Sequence, residues 1–273
     1  MSRLSTAIKV VLVIVIMAAS ATVEAFEADL QPGGEAKVIG VIDGDTVVIA
    51  PPIQGATEIR LVGLQAPKLP LGRKGFKPWP MAGEAKQALK ALVLGQSVRL
   101  GHGGADMDRH GRLLAHLFRS SDGLWVQGRL LRDGLARVYS FPDNRALVGA
   151  MLAEETIARE AGRGIWRLGY YGIREATDLD GLSKRRSTFQ LVEGLIVDAA
   201  EVKGWRYLNF GADWRSDFTI RIGRRDARLF DGDPVDLKGH RVRVRGWLKS
   251  RNGPEIQVTH PEQIELLEPV QNR

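Results

Sequence analysis

Val41-Ile42-Asp43-Gly44-Asp45-Thr46-Val47-Val48-Ile49, followed after ten residues by Arg60-Leu61-Val62-Gly63-Leu64-Gln65-Ala66-Pro67-Lys68, is the stretch on which the fold turns. Two apolar runs flank Asp-Gly-Asp, a turn whose glycine can adopt φ > 0, so the pair reads as a hairpin. A third run, Glu58 to Leu64, carries Arg60 and ends just before a proline. Three short strands then bring Asp43, Asp45, Arg60 and the Gln65–Lys68 segment towards one rim. Carboxylates bind hard cations, and a guanidinium grips phosphate in bidentate fashion. The chemistry these residues suggest is that of phosphodiesters.

Further along, Asp108-Arg109-His110-Gly111-Arg112 leads into the apolar run Leu113 to Phe118. Asp-Gly-Asp-Thr, the gap, Arg-Leu-x-x-Leu-x-x-Pro and Asp-Arg-x-Gly-Arg resemble, in order and spacing, the staphylococcal nuclease (thermonuclease) family over residues 37–166. The resemblance implies an α+β unit, an OB-fold five-stranded barrel with three helices, that hydrolyses phosphodiester bonds of nucleic acid. It assigns the phosphate-binding catalytic roles to Arg60 and Arg112. It assigns calcium to Asp45, with Asp43 behind it. It places Tyr139 near the nucleotide pocket, and His110 where the family usually carries tyrosine, beside the bound phosphate.

Two positions depart from the family. Gln65 replaces an aspartate that is a calcium ligand, and Lys68 replaces the glutamate that activates the attacking water. Calcium takes several hard oxygens, preferably charged ones. Gln65 offers only a neutral carbonyl oxygen, and Lys68 offers no acceptor and adds a cation. The expected calcium site is therefore weakened, with Lys68, His110 and Tyr139 left as substrate-binding residues. Two readings follow: a weak exported nuclease, or an impaired protein on a nuclease fold that binds nucleic acid or another phosphodiester. Either is expected to be a monomer acting on DNA or RNA.

The remaining residues set the domain plan. Residues 1–25 hold Arg3 and Lys9, an apolar run from Val10 to Ala19, and small residues around Ala25, the pattern of a secretory signal peptide. That run is short for a membrane span, and none is expected in the mature chain, which is read as periplasmic or secreted. With no cysteine among 273 residues, disulfide staples, lipoprotein attachment and thiolate metal sites are excluded. Residues 26–188 hold 23 Lys and Arg against 18 Asp and Glu, whereas residues 189–268 hold 13 of each. The basic excess therefore falls on the nuclease-like half, where it would steer a polyanion.

After the third strand, Leu69–Pro80 reads as a loop with Arg73, Lys74 and Lys77 beside the site. Ala85, Ala88, Leu89 and Leu92 read as a helix, Val126–Arg132 as a short one, and Asp143 as the cap of a longer one. The plan is an N-terminal segment at 26–36, the nuclease-like domain at 37–171, a polar linker at 172–187 and a second small β-barrel, OB-like, at 188–268. Its strands are expected at Phe189–Val197, Tyr207–Phe210, Phe218–Ile222, Arg241–Trp247 and Glu255–Val258. Alternation places Arg241, Arg243 and Arg245 on one strand face. Trp205, Tyr207, Trp214 and Trp247 lie close enough in sequence to that strand's neighbours to be weighed as base-stacking residues.

Overall fold

The structure, a computed structural model, describes residues 29–267. The expected signal segment lies outside the described residues. The chain divides into one unit up to Arg167 and another from Leu168.

In the first unit, β1 (Gln31–Asp43), β2 (Thr46–Ile53) and β3 (Ala56–Leu61) form a meander. After β4 (Leu64–Gln65) and α1 (Ala82–Val93) come β5 (Ser97–His102) and β6 (Leu113–Arg119). Then follow α2 (Val126–Arg132), β7 (Arg137–Val138) and α3 (Val148–Glu160). The five long strands close into a barrel in the order β1-β2-β3-β6-β5, with β6 parallel to β3 and β5 returning to β1. The expected barrel with three helices is what forms. Val38, Val47, Ile59, Leu61, Leu113 and Leu117 fill its interior, and α1 and α2 close it with Leu89, Val93, Leu130 and Leu131, all fully buried. Burying a side chain of this size contributes roughly 1.5–3 kcal/mol, so the apolar alternation of the strands is what holds the rim residues in register.

Some local readings change. β1 starts at Gln31, and Gln31 pairs with His102, so residues 31–36 are part of the barrel. Asp143 does not cap α3, whose first residue follows Leu147. The Asp143 carbonyl instead accepts Ala105 N at 3.0 Å, and Asn144 Nδ2 donates to the Ala105 carbonyl at 2.7 Å. Those bonds tie 143–144 to the loop after β5 and delay the helix.

The second unit holds β8 (Arg174–Glu175), α4 (Leu179–Ser183), β9 (Phe189–Leu195), β10 (Asp198–Val202) and β11 (Trp205–Asn209). It continues with β12 (Thr219–Ile222), β13 (Arg241–Ser250), β14 (Pro254–Val258) and β15 (Ile264–Leu266). The sheet order is β10-β11-β12-β14-β13-β9-β8, with β15 also on β13. Only Ile196 and Val197 separate β9 from β10, and the two pair with β13 and β11 respectively. One bent strand thus does what β1 does in the first unit. β12 runs parallel to β14 as β3 does to β6. The OB-like strand order therefore recurs.

Residues 172–187, polar enough to read as a linker, contribute β8 and α4, with Ala176 and Leu182 buried in the second core. Two such residues in so polar a stretch are too sparse a pattern to signal packing. Because this core is self-contained, a fragment spanning residues 168–267 should melt cooperatively by circular dichroism, and a broad, featureless melt would show that the units share stability.

Candidate phosphate-binding cleft

The Asp43–Asp45 turn joins β1 to β2, with Asp43 opposite Thr46. Gly44 is needed for space. A Cβ there would lie 2.6 Å from Ala66 Cβ and 2.9 Å from Ala85 Cβ, and Gly44 is not among the residues with positive φ. The expectation of a left-handed glycine is thereby corrected. The close approach delivers Asp45 to the start of the Ala66–Lys68 segment, where it is fully buried.

Asp45 is the hub of the site. Its Oδ2 accepts Ala66 N at 2.9 Å and Lys68 Nζ at 2.7 Å, and it lies 3.2 Å from Arg60 Nη2. Thr46 Oγ1 donates to Oδ1 at 3.4 Å. Lys68 Nζ also lies 3.9 Å from Asp43 Oδ2. Burial opposes ionisation of Asp45, but the Arg60 and Lys68 charges overcome it and hold its carboxyl below the usual range. Asp43 moves the other way: burial and the neighbouring Asp45 charge push its carboxyl up. Burial, then the Arg60 charge, lower the Lys68 ammonium against the pull of both aspartates.

Arg60, on β3 opposite Thr46, is directed inward. Nη1 donates to the Asp45 and Leu61 carbonyls at 3.0 and 2.9 Å, and Nη2 to the Leu64 carbonyl at 2.7 Å. With Nη2 also on Asp45, all four Nη protons are engaged, so Arg60 supplies charge and anchors the turn. Gln65 is buried, and β4 pairs with β7 so that Gln65 faces Arg137. Gln65 Oε1 accepts Arg137 Nε at 3.2 Å and Nη2 at 2.8 Å. The residues 65 and 137 are far apart in sequence, and only that two-residue pairing brings them together.

The Asp108–Arg112 loop is organised by Asp108. Its Oδ1 accepts His110 N and Arg112 N at 2.8 and 3.1 Å, and its Oδ2 accepts Arg112 Nε and Nη2 at 2.9 and 2.6 Å. Gly111, at φ +76°, completes the turn. Burial would raise the Asp108 carboxyl, but the Arg112 bonds bring it below the usual range. Arg112 Nη1 carries no such bond among the described residues. His110 Nε2 accepts Arg109 Nε at 3.2 Å. Arg73 is turned onto its own loop, donating to the Pro70 carbonyl at 3.0 Å and stacking on Phe76.

Arg60, Gln65, Lys68, His110, Arg112 and Tyr139 all line one cleft of about 630 Å³. The sequence-predicted substrate and phosphate residues therefore come together. Asp43 and Asp45 sit beneath it, reached through Lys68. Arg109 and Phe141 also line it, and Tyr139 and Phe141 meet edge to face at 4.9 Å. Sequence reasoning misses Asp108, Arg137 and Phe141 as site residues. Asp108 is legible in the Asp-Arg-x-Gly-Arg spacing as a turn former, but Arg137 carries no sequence signal.

Calcium takes six to eight oxygens, and the residues present do not fit it. Asp45 already accepts from Lys68, Ala66 and Arg60, and the Gln65 oxygen accepts twice from Arg137. Among the described residues no group of three or more His, Cys, Asp or Glu side chains could hold a metal ion. An ammonium ~4 Å from a divalent ion costs on the order of several kcal/mol at an effective dielectric of ~20, more than one neutral ligand returns.

In the second unit the arginine row is spent on ion pairs. Arg243 Nε donates to Glu193 at 2.7 Å and Nη1 to Glu265 at 3.0 Å; Arg245, almost fully buried, pairs with Glu265; and Arg241 reaches Glu175 at 3.3 Å. The row is a structural ladder across β9, β13 and β15. Arg221 lies over Trp205, Trp214 is half exposed, and Trp247 packs on Phe189.

With this geometry in view, residues 58–168 match the family described as staphylococcal nuclease homologue. The barrel unit belongs to that staphylococcal nuclease-like family. An uncharacterized Bacillus anthracis protein is 33% identical over 134 residues, covering 48% of this chain and 60% of the relative. The thermonuclease of Staphylococcus hyicus is 28% identical over 131 residues, 48% of this chain and 74% of the enzyme. The endonuclease YhcR of Bacillus subtilis is 28% identical over 150 residues, 51% of this chain but 12% of that protein. The chain thus spans less than two thirds of the first of these relatives. All three alignments cover about half of this chain. The barrel is a nuclease-type domain.

Proposed function

We propose that this chain is an exported protein that binds nucleic acid in the barrel cleft and hydrolyses phosphodiesters far more slowly than a calcium-loaded site would. The observation that carries this reading is Lys68 Nζ seated 2.7 Å from Asp45 Oδ2, with a proton donor where the family pattern has a glutamate. A base able to activate water must accept a proton, and the Lys68 ammonium, donating to Asp45, has no lone pair to accept one. Arg112 is the phosphate contact, Arg60 the fixed charge behind it, and Tyr139 with Phe141 a stacking step for a base. His110 stands at the rim as a donor to phosphate. A calcium ion, implied by the resemblance, binds weakly here for the reasons of charge and ligand count given above.

The nuclease relatives favour a second reading in which hydrolysis is physiological. A nicking assay on supercoiled DNA and on RNA, with calcium and with a chelator, separates the two. Tight binding with little nicking supports the first reading, and rapid calcium-dependent nicking the second.

Substituting Arg112→Ala should weaken binding of a short oligonucleotide on the order of tenfold at low salt, since a charged hydrogen bond to phosphate contributes ~1.5–3 kcal/mol. Equal affinity of the variant and the natural chain in fluorescence anisotropy would remove Arg112 from the contact.

Export rests on residues 1–25, and among the described residues no helix is long and apolar enough to cross a membrane. Amino-terminal sequencing of the protein recovered from the periplasm or medium should begin close after Ala25. Recovery of the chain in the cytoplasm with Met1 intact would refute export.

A further inference from the structure

We propose that the Lys68 ammonium is the resident cation of this cleft, a tethered replacement for a divalent ion, and that the cleft binds nucleic-acid phosphate without metal. This rests on the reading of the barrel as a nucleic-acid site. The ammonium carries three protons. One is directed to Asp45 Oδ2 at 2.7 Å, and Asp43 Oδ2 stands 3.9 Å away. Lys68 lines the cleft and its side chain is 22% exposed, so it has a donor to offer a phosphate oxygen on the open side.

The position is built. Ala66 N, two residues before Lys68, is bonded to Asp45, and the Lys68 carbonyl accepts Trp79 N at 2.9 Å. Backbone bonds on both flanks keep the lysine over the aspartates. Arg60 spends its Nη protons on three carbonyls and Asp45, and Arg137 spends Nε and Nη2 on Gln65. Lys68 and Arg112 are better placed to turn donors towards an anion in the cleft. Around the turn, Asp43 and Asp45 face Arg60 and Lys68, two carboxylates against two cations, which leaves no net charge. A dianionic cluster would need a metal ion before it could accept a phosphate. Here Arg60 and Lys68 already cancel the two carboxylates, and Arg109 and Arg112 in the cleft lining add the positive charge that a phosphate requires.

The test uses the full mature chain and a short fluorescent single-stranded oligonucleotide, in chelator and in millimolar calcium. The dissociation constant should agree within about threefold between the two conditions, and calorimetry of calcium into the protein alone should show no saturable heat. Lys68→Met, which keeps length and removes charge, should weaken oligonucleotide binding on the order of tenfold, and Lys68→Arg should restore most of it. Melting curves accompany both variants, and if Lys68→Met fails to fold, Lys68→Arg carries the test through the chelator comparison.

Binding that appears only with calcium overturns the tethered-cation role while leaving the nucleic-acid reading standing. Unchanged affinity of a folded Lys68→Met also overturns it. Absence of binding in both conditions removes the nucleic-acid reading, and this proposal with it.

Discussion

The double variant Gln65→Asp, Lys68→Glu should bind calcium far more tightly than the natural chain. The four charged groups around the turn cancel in the natural protein, Arg60 and Lys68 against Asp43 and Asp45. In the variant the local charge moves three units towards negative, and four carboxylates surround the turn. A hard divalent ion then meets anionic oxygens instead of an ammonium. Removing a repulsion worth several kcal/mol and adding two ligands should shift calcium affinity by ~3 kcal/mol or more, a factor of at least ~100. The two positions share one segment, so their effects should couple.

Arg137 limits the gain. Its guanidinium lies 2.8 and 3.2 Å from the Gln65 oxygen and would pair with the carboxylate that Gln65→Asp introduces. The triple variant that also carries Arg137→Gln should therefore bind calcium more tightly than the double one. The Lys68→Glu change would also put a carboxylate where a water can be activated, so nicking with calcium should rise in parallel. Calorimetry and a nicking assay measure the two effects. A natural chain that cleaves briskly and a double variant that cleaves more slowly would mean that Lys68 takes part in a chemistry of its own.

The parts of this structure legible in the sequence were those governed by local rules. The apolar runs on either side of Asp43–Asp45 and from Glu58 to Leu64 announced strands, and the Asp-Gly-Asp turn announced the junction of the first two. Even the need for Gly44 was visible, although its cause is the approach of Ala66 and Ala85 and not a left-handed backbone. The conflict at Gln65 and Lys68 was visible as charge. Its resolution was not, because two facts depend on register. Lys68 lies on Asp45 only because Ala66 N docks on the same carboxylate, and Gln65 is neutralised as a ligand only because β4 pairs with β7. Likewise, one-face placement of Arg241, Arg243 and Arg245 followed from period two. That the face is consumed by Glu193 and Glu265 required knowing that β9 and β15 flank β13. The signal for β10 was weak for a related reason: Asp198–Val202 has no buried residue, so it lacks apolar alternation and is held by its ladder with β11.

Replacing Asp45 with alanine should destabilise the barrel unit by ~3–5 kcal/mol, the cost of leaving buried charges without their partner. In a metal site this aspartate would be chiefly a ligand, and its loss would chiefly reduce metal affinity. Here it accepts from Ala66 N, Lys68 and Thr46 and pairs with Arg60, while being fully buried. Its removal strands the Lys68 ammonium and unties the Ala66 backbone from the β1–β2 turn. The loss should appear as a fall in melting temperature on the order of 10 °C, with calcium and with chelator alike. Asp45→Ala combined with Lys68→Met should recover part of the stability, because the second change removes the stranded charge. If Asp45→Ala melts within a degree or two of the natural protein, the carboxylate is not the keystone of the turn. A double variant less stable than the sum of its parts would show that Lys68 is held by something other than Asp45.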